Sequence, residues 1–144
     1  MNGFPMLAPH NWRPLGAAWA VALVSSLAVL FVGEVMGQTP CNICWFQRAF
    51  MFPLAILLGL AAFRSDRHVV PYALALAGGG WLVASYHLLL YAGVVAAPLV
   101  PCDGGPSCSG ETMAVAGVPL PLLSLAAFSL ILGLLLAFQR RLKS

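Results

Sequence analysis

Charge is what this chain has least of. Four carboxylates (Glu34, Asp66, Asp103 and Glu111) and seven basic side chains are all it carries in 144 residues, so 8% of the chain is charged, against roughly 25% in an ordinary soluble domain. With 61% of its residues hydrophobic, a soluble fold of this length is excluded, because a small domain has too much surface for its volume to hide that much apolar area. A lipid bilayer removes the difficulty by being the solvent. The formal charge is only +3, and no basic stripe interleaved with aromatics is present, which excludes a nucleic-acid partner. Repeats and low-complexity tracts are absent. No histidine follows Cys44, where Trp45 stands, so the motif there is not a haem attachment site. The first apolar stretch, Pro14 to Gly33, is uncharged and about twice as long as the apolar region of a signal peptide. It reads as an uncleaved first span.

What is present is four apolar segments. A transmembrane helix takes about 20 mainly apolar residues, and residues 15–35, 45–63, 69–91 and 119–138 meet or nearly meet that length. Pro119 and Pro121 fall at the start of the fourth, where proline is tolerated. Short connections cover 36–40 and 64–68, and a longer loop covers 97–118. The glycines and prolines of that loop argue against regular structure. The expected fold is an all-α membrane protein, a four-transmembrane-helix bundle forming a single integral domain over residues 1–144.

The basic residues orient it. Arg13 precedes the first span, Arg64 and Arg67 lie between the second and third, and Arg140, Arg141 and Lys143 follow the fourth. Six of the seven basic residues thus fall on one side, which the positive-inside rule makes cytoplasmic. Both termini are expected in the cytoplasm. Two extracytoplasmic loops then carry the cysteine pairs, Cys41 with Cys44 and Cys102 with Cys108, on the face where disulfides persist.

Cys41-Asn42-Ile43-Cys44 has the spacing of a reversible disulfide at a helix start, where the helix dipole favours the reactive thiolate. Thr39-Pro40 just upstream fits such a start. Cys102 and Cys108 are separated by Asp-Gly-Gly-Pro-Ser, a turn that allows their Cα atoms to come within about 7 Å, as a disulfide requires. Closing so small a loop stabilises by only about 2 to 3 kcal/mol in the chain-entropy model, which suits exchange. Two structural bridges bracing outer loops remain an open reading, and so does a zinc site, although the second spacing is unusual for one.

Two membrane-level polar residues bear on the choice. Arg48 lies one helical turn after Cys44, on the same face by i,i+4 geometry. Counting to Phe63 leaves roughly 22 Å of helix at about 1.5 Å per residue, against a hydrocarbon layer of about 30 Å, so either the membrane thins here or Arg48 lies within the outer margin of the apolar layer. It is either a snorkelling anchor or a group serving a thiolate and a polar ligand. His87 lies about 27 Å along the third span by the same count, at the same depth, and either closes an internal hydrogen bond or joins the site. Gln47 is a weaker polar neighbour.

The run Cys41-Asn42-Ile43-Cys44-Trp45-Phe46-Gln47-Arg48 resembles the CxxC-W-x-Q-R signature of the disulfide bond formation protein B family, DsbB and its BdbC-type relatives. The resemblance extends to four spans, the Tyr86-His87 pair late in the third, the cysteine pair in the long outer loop and the Pro-Leu-Leu-Ser-Leu opening of the fourth. The short Cys102–Cys108 interval looks like that of the BdbC-type members. The resemblance implies a protein-dithiol:quinone oxidoreductase in the bacterial inner membrane with two redox-active disulfides, Cys41–Cys44 and Cys102–Cys108. A DsbA-like thioredoxin-fold partner is expected to attack Cys102 and release Cys108. Electrons are then expected to pass to Cys41–Cys44 and, from Cys44, to ubiquinone or menaquinone, with Arg48 and His87 at the quinone head group and no metal. A non-catalytic tetraspan interaction protein with structural disulfides is the alternative. Transport of reductant from the cytoplasm is disfavoured, since no cysteine falls on the inner side.

Overall fold

Proline opens three of the four long helices. Pro14, Pro71 and Pro121 occupy the first turns of α1 (Arg13–Leu30), α3 (Val70–Tyr91) and α4 (Leu120–Lys143), where a missing N–H leaves no hydrogen bond unmade. α2 spans Asn42–Arg64 and ends on Ser65 in the left-handed region (φ 54°), with Asp66 then accepting from the His68 N–H to start a 3-10 turn over Arg67–Val69. A computed structural model describes residues 12–96 and 114–144 of the chain.

Four helical stretches, Arg13–Val35, Asn42–Arg64, Arg67–Tyr91 and Leu120–Lys143, are long and apolar enough to cross a membrane. The shortest have 23 residues, or about 34 Å of helix at 1.5 Å per residue, which exceeds a hydrocarbon layer of about 30 Å. The all-α expectation holds for the helices, with two local differences. The first span does not stay α-helical to its end: Phe31–Val35 widen into a π-helical turn. The long outer loop, expected to lack regular structure, carries a small antiparallel hairpin at its end, β1 (Ala114–Val115) with β2 (Val118–Pro119). Ala116 and Gly117 both take positive φ, 51° and 80°, which matches the two-residue primed turns that fit strand twist. The second helix begins three residues before its expected start, at Asn42, and the fourth runs five residues past its expected end, to Lys143, because helical hydrogen bonding continues beyond the apolar stretch.

The helices pack as a ring in which α1 contacts α2 and α4, and α3 contacts α2 and α4. Large side chains of one helix meet small ones of the next. α3 buries Ala73, Ala77, Gly80 and Ala84 along one stripe, and α4 presents Phe128, Ile131, Leu135 and Phe138. A Cβ on Gly80 would overlap the Phe128 ring. Small residues let helices approach closely where no hydrophobic force separates helix from lipid. The outward surface is apolar too, with Val24, Ile56 and Leu82 each 65% exposed, as a lipid-facing surface requires and a water-facing one would not tolerate.

Two ring pairs define one end of the bundle. Trp12 packs on Phe138 and Trp19 on Phe63, each at 5.2 Å between centroids. The start of α1 and the ends of α2 and α4 therefore share that end, and all six basic residues outside the CxxC region flank these helix termini. The CxxC motif lies at the other end.

Candidate functional site

The site is built on the start of α2. Cys41 is the N-cap residue in extended conformation (φ −72°, ψ 169°), and its carbonyl accepts from the Trp45 N–H at 3.2 Å. Three residues on, Cys44 falls on the same side of the first turn, with the two sulfurs 3.5 Å apart. Their surroundings differ. Cys41 is buried (1% exposed), whereas Cys44 is partly open. The Cys41–Cys44 bond expected from the motif is not closed in this structure: Cys44 is a free thiol, while Cys41 is disulfide-bonded. Cys102 and Cys108, and any bond between them, lie outside the described residues.

Behind Cys41 stands α3. His87 is fully buried, with Nε2 3.9 Å from Cys41 Sγ and Nδ1 3.1 Å from Gln47 Nε2. Gln47 is itself buried, one helical turn after Cys44. Its amide offers either an N–H or an oxygen, and that choice determines which ring nitrogen of neutral His87 carries the proton. A chain of three side chains thus runs from α2 to α3 and back to the N-cap sulfur of α2.

In front of Cys44 stands α1. Arg48 donates from Nη2 to the Val29 carbonyl at 3.0 Å, and its Cζ lies 5.4 Å from the Trp45 ring centroid, within cation–π range. Gly33, in the π-helical turn, leaves the space the guanidinium uses: a Cβ there would come within 3.0 Å of Nη2. Cys44, Gln47 and Arg48 all line one cleft of about 710 Å³, walled by Val29, Leu123 and Phe128 among others. Apolar walls with a few convergent polar groups are the usual make-up of a small-molecule site.

Four of the sequence-named residues, Cys41, Cys44, Arg48 and His87, gather at this end of the bundle. His87 is not among the residues lining the cleft; it lies against Cys41 on the other side of the α2 start. Gln47, given little weight from sequence, lines the cleft and also touches His87. An intramembrane polar residue within one turn of a CxxC is the signal that finds it. The Val29 carbonyl has no sequence signature.

Fold and site together define a multi-pass helical membrane protein with a dithiol at one end. The chain belongs to the DsbB family: the family model described as disulfide bond formation protein DsbB matches residues 11–138. It is 52% identical over 139 residues to the probable disulfide formation protein of Metapseudomonas resinovorans, covering 95% of this chain and 96% of that one. It is 37% identical over 119 residues to disulfide bond formation protein C of Bacillus subtilis (strain 168), covering 82% and 86%. To the probable disulfide formation protein of Deinococcus radiodurans it is 39% identical over 134 residues, covering 82% and 83%. No solved structure matches the chain. Family membership makes this a disulfide bond formation protein, and implies oxidoreductase activity and partners that exchange thiols for disulfides.

Proposed function

We propose that the protein is a dithiol:quinone oxidoreductase that reoxidises a DsbA-like thioredoxin-fold protein and passes the electrons to ubiquinone or menaquinone. The observation that carries this reading is the shared cleft: the free thiol of Cys44 and the guanidinium of Arg48 line one apolar-walled space. A planar head group with two carbonyl oxygens and an apolar tail fits such a space. The quinone, when bound, accepts two electrons and two protons. The protein supplies placement and charge.

In this reading the partner's thiolate attacks Cys102 and forms a mixed disulfide while Cys108 leaves. The second partner thiolate resolves the mixed disulfide, and the partner departs oxidised. The electron pair moves to the first pair by exchange at Cys41, freeing Cys44. A bonded Cys41 beside a free Cys44 is the arrangement such a cycle passes through. Arg48 draws negative charge toward the cleft end of Cys44 and holds a polar oxygen of the ligand. His87 contributes through Gln47, which lines the cleft, rather than by its own contact. The net change is two thiols plus quinone giving one disulfide plus quinol, with exchange rates governed by thiolate access.

The cysteines are proposed to face the extracytoplasmic side of a bacterial inner membrane, with both termini cytoplasmic. Six basic residues at the opposite end of the bundle support that orientation. The test is quinone reduction by the purified full chain supplied with a reduced thioredoxin-fold protein. Turnover with at least one of ubiquinone and menaquinone is expected. None with either favours a non-catalytic tetraspan interaction protein.

A further inference from the structure

The same end of the bundle gathers three side chains of metal-ligating type. Cys41 Sγ lies 3.5 Å from Cys44 Sγ and 3.9 Å from His87 Nε2, and all three atoms fall within 4.8 Å of one another. Zinc bound at about 2.3 Å to sulfur and about 2.0 Å to imidazole nitrogen, in a tetrahedron, sets its ligand atoms roughly 3.5 to 3.8 Å apart. Two of the separations already lie at or close to that spacing. We infer that the reduced chain binds one thiophilic d10 cation, Zn²⁺ or Cd²⁺, through Cys41, Cys44 and His87, and that this metal and the disulfide state exclude each other.

Charge favours the site. Two thiolates and a divalent cation sum to zero, so the loaded cluster escapes the cost of burying an uncompensated charge. The imidazole is supported as ligating histidines usually are, by a second partner on its other nitrogen. With the Gln47 amide turned to present its oxygen, Nδ1–H donates to it and the Nε2 lone pair faces the sulfurs. Cys44 opens onto the cleft, which gives an ion its route in and leaves the fourth coordination position for water. Soft thiolates select zinc-group ions over calcium or magnesium.

The stoichiometry is closed. Two thiols lose two protons, two metal–sulfur bonds and one metal–nitrogen bond form, and no electron moves. Because Cys41 is disulfide-bonded in the structure, the site exists only after a dithiol has reduced that bond, becoming a disulfide itself. A loaded chain cannot donate from Cys44 until the metal leaves. The site is therefore a thiol-capping, inhibitory one, built on the same two sulfurs that the proposed electron path uses.

The experiment uses the full chain, reduced with excess dithiol and freed of it without air, then titrated with Co²⁺ and with Zn²⁺ in competition. One Co²⁺ per chain is expected, with a thiolate-to-cobalt absorption band in the near ultraviolet. The band should persist when Cys102 and Cys108 are both changed to serine, vanish in Cys44→Ser, and need at least tenfold more Co²⁺ in His87→Gln. X-ray absorption of the zinc-loaded wild-type chain decides the matter even if His87→Gln fails to fold: two sulfur ligands and one imidazole are expected. The inference is overturned by a reduced chain with no thiolate band, by a band that survives Cys44→Ser or depends on Cys102 and Cys108, or by an absorption spectrum without imidazole. These readouts do not involve quinone, so they stand or fall apart from the proposed activity.

Discussion

Arg48 Nη2 donates to the Val29 carbonyl across 3.0 Å, tying the first turns of α2 to the end of α1. The bond falls just ahead of the π-helical turn at Phe31–Val35, in a helix whose regular α ladder breaks there. Widened turns of this kind often accompany functional sites. Here the guanidinium is held at the cleft wall, between the Val29 carbonyl and the Trp45 ring. Replacing Arg48 with Ala removes a charge-assisted hydrogen bond, for which a loss of about 1.5 to 3 kcal/mol is typical. If that loss falls on ligand binding, quinone KM should rise roughly tenfold to a hundredfold at 1.4 kcal/mol per decade, with helix content retained. Initial rates against quinone concentration measure this. An unchanged KM with a marked fall in melting temperature points to an anchor instead.

Gly33 provides the matching test from the other helix. A methyl group there meets Arg48 Nη2 at 3.0 Å and Nη1 at 3.7 Å, so Gly33→Ala pushes the guanidinium without deleting its charge. Quinone KM should rise by less than in Arg48→Ala, and reduction of the chain by a thioredoxin-fold dithiol should keep its rate. In the double variant the two effects should fall short of adding, since both act on one group. Fully additive effects would separate Gly33 from Arg48.

The parts legible in the sequence are those that repeat a signal many times over. Each span is a run of about 20 apolar residues, and the chain forms four helices long and apolar enough to cross a membrane. Those signals survive the loss of any one residue. The site was legible in part: Cys44 and Arg48 share a face because i,i+4 spacing requires it. His87 shows the limit of counting. Helix rise gives its depth, but which side of the α2 start it meets depends on how α3 is rotated, and the rotation follows from packing of Ala77, Gly80 and Ala84 against neighbours. The π-helical turn was hidden for a different reason, because it is a backbone choice coupled to a guanidinium from another helix. The hairpin at 114–119 hangs on two positive-φ residues, one of them Ala116, which gives no turn signal of its own.

Packing of α3 on α4 predicts a stability effect with a rescue. Gly80 is buried, and a methyl group there overlaps the Phe128 ring. Overpacking of this kind costs about 1 to 3 kcal/mol, so Gly80→Ala should lower the melting temperature of the detergent-solubilised protein. Phe128→Leu combined with Gly80→Ala should recover part of the loss, because the shorter side chain frees the overlapped volume. Phe128 also walls the cleft, so the rescued variant is judged by stability and not by turnover. Lack of any recovery would place the strain elsewhere on α3.

The two thiols of the CxxC should differ sharply when each is removed. Cys41 is buried, lies against His87 and is already engaged in a disulfide; Cys44 is free and opens onto the cleft. Cys44→Ser therefore deletes the sulfur that faces the ligand and should abolish quinone reduction. It leaves Cys102 and Cys108 in place, so a reduced thioredoxin-fold partner should still exchange with the chain once, seen as a single stoichiometric oxidation of partner without turnover. Cys41→Ser should block transfer between the pairs while Cys44 stays reactive toward a small alkylating reagent that enters by the cleft. Stopped turnover together with preserved single exchange in Cys44→Ser, and preserved alkylation in Cys41→Ser, assigns the last electron step to Cys44. Quinone reduction at the normal rate in Cys44→Ser removes the CxxC from that step and leaves Arg48 without a thiol to serve.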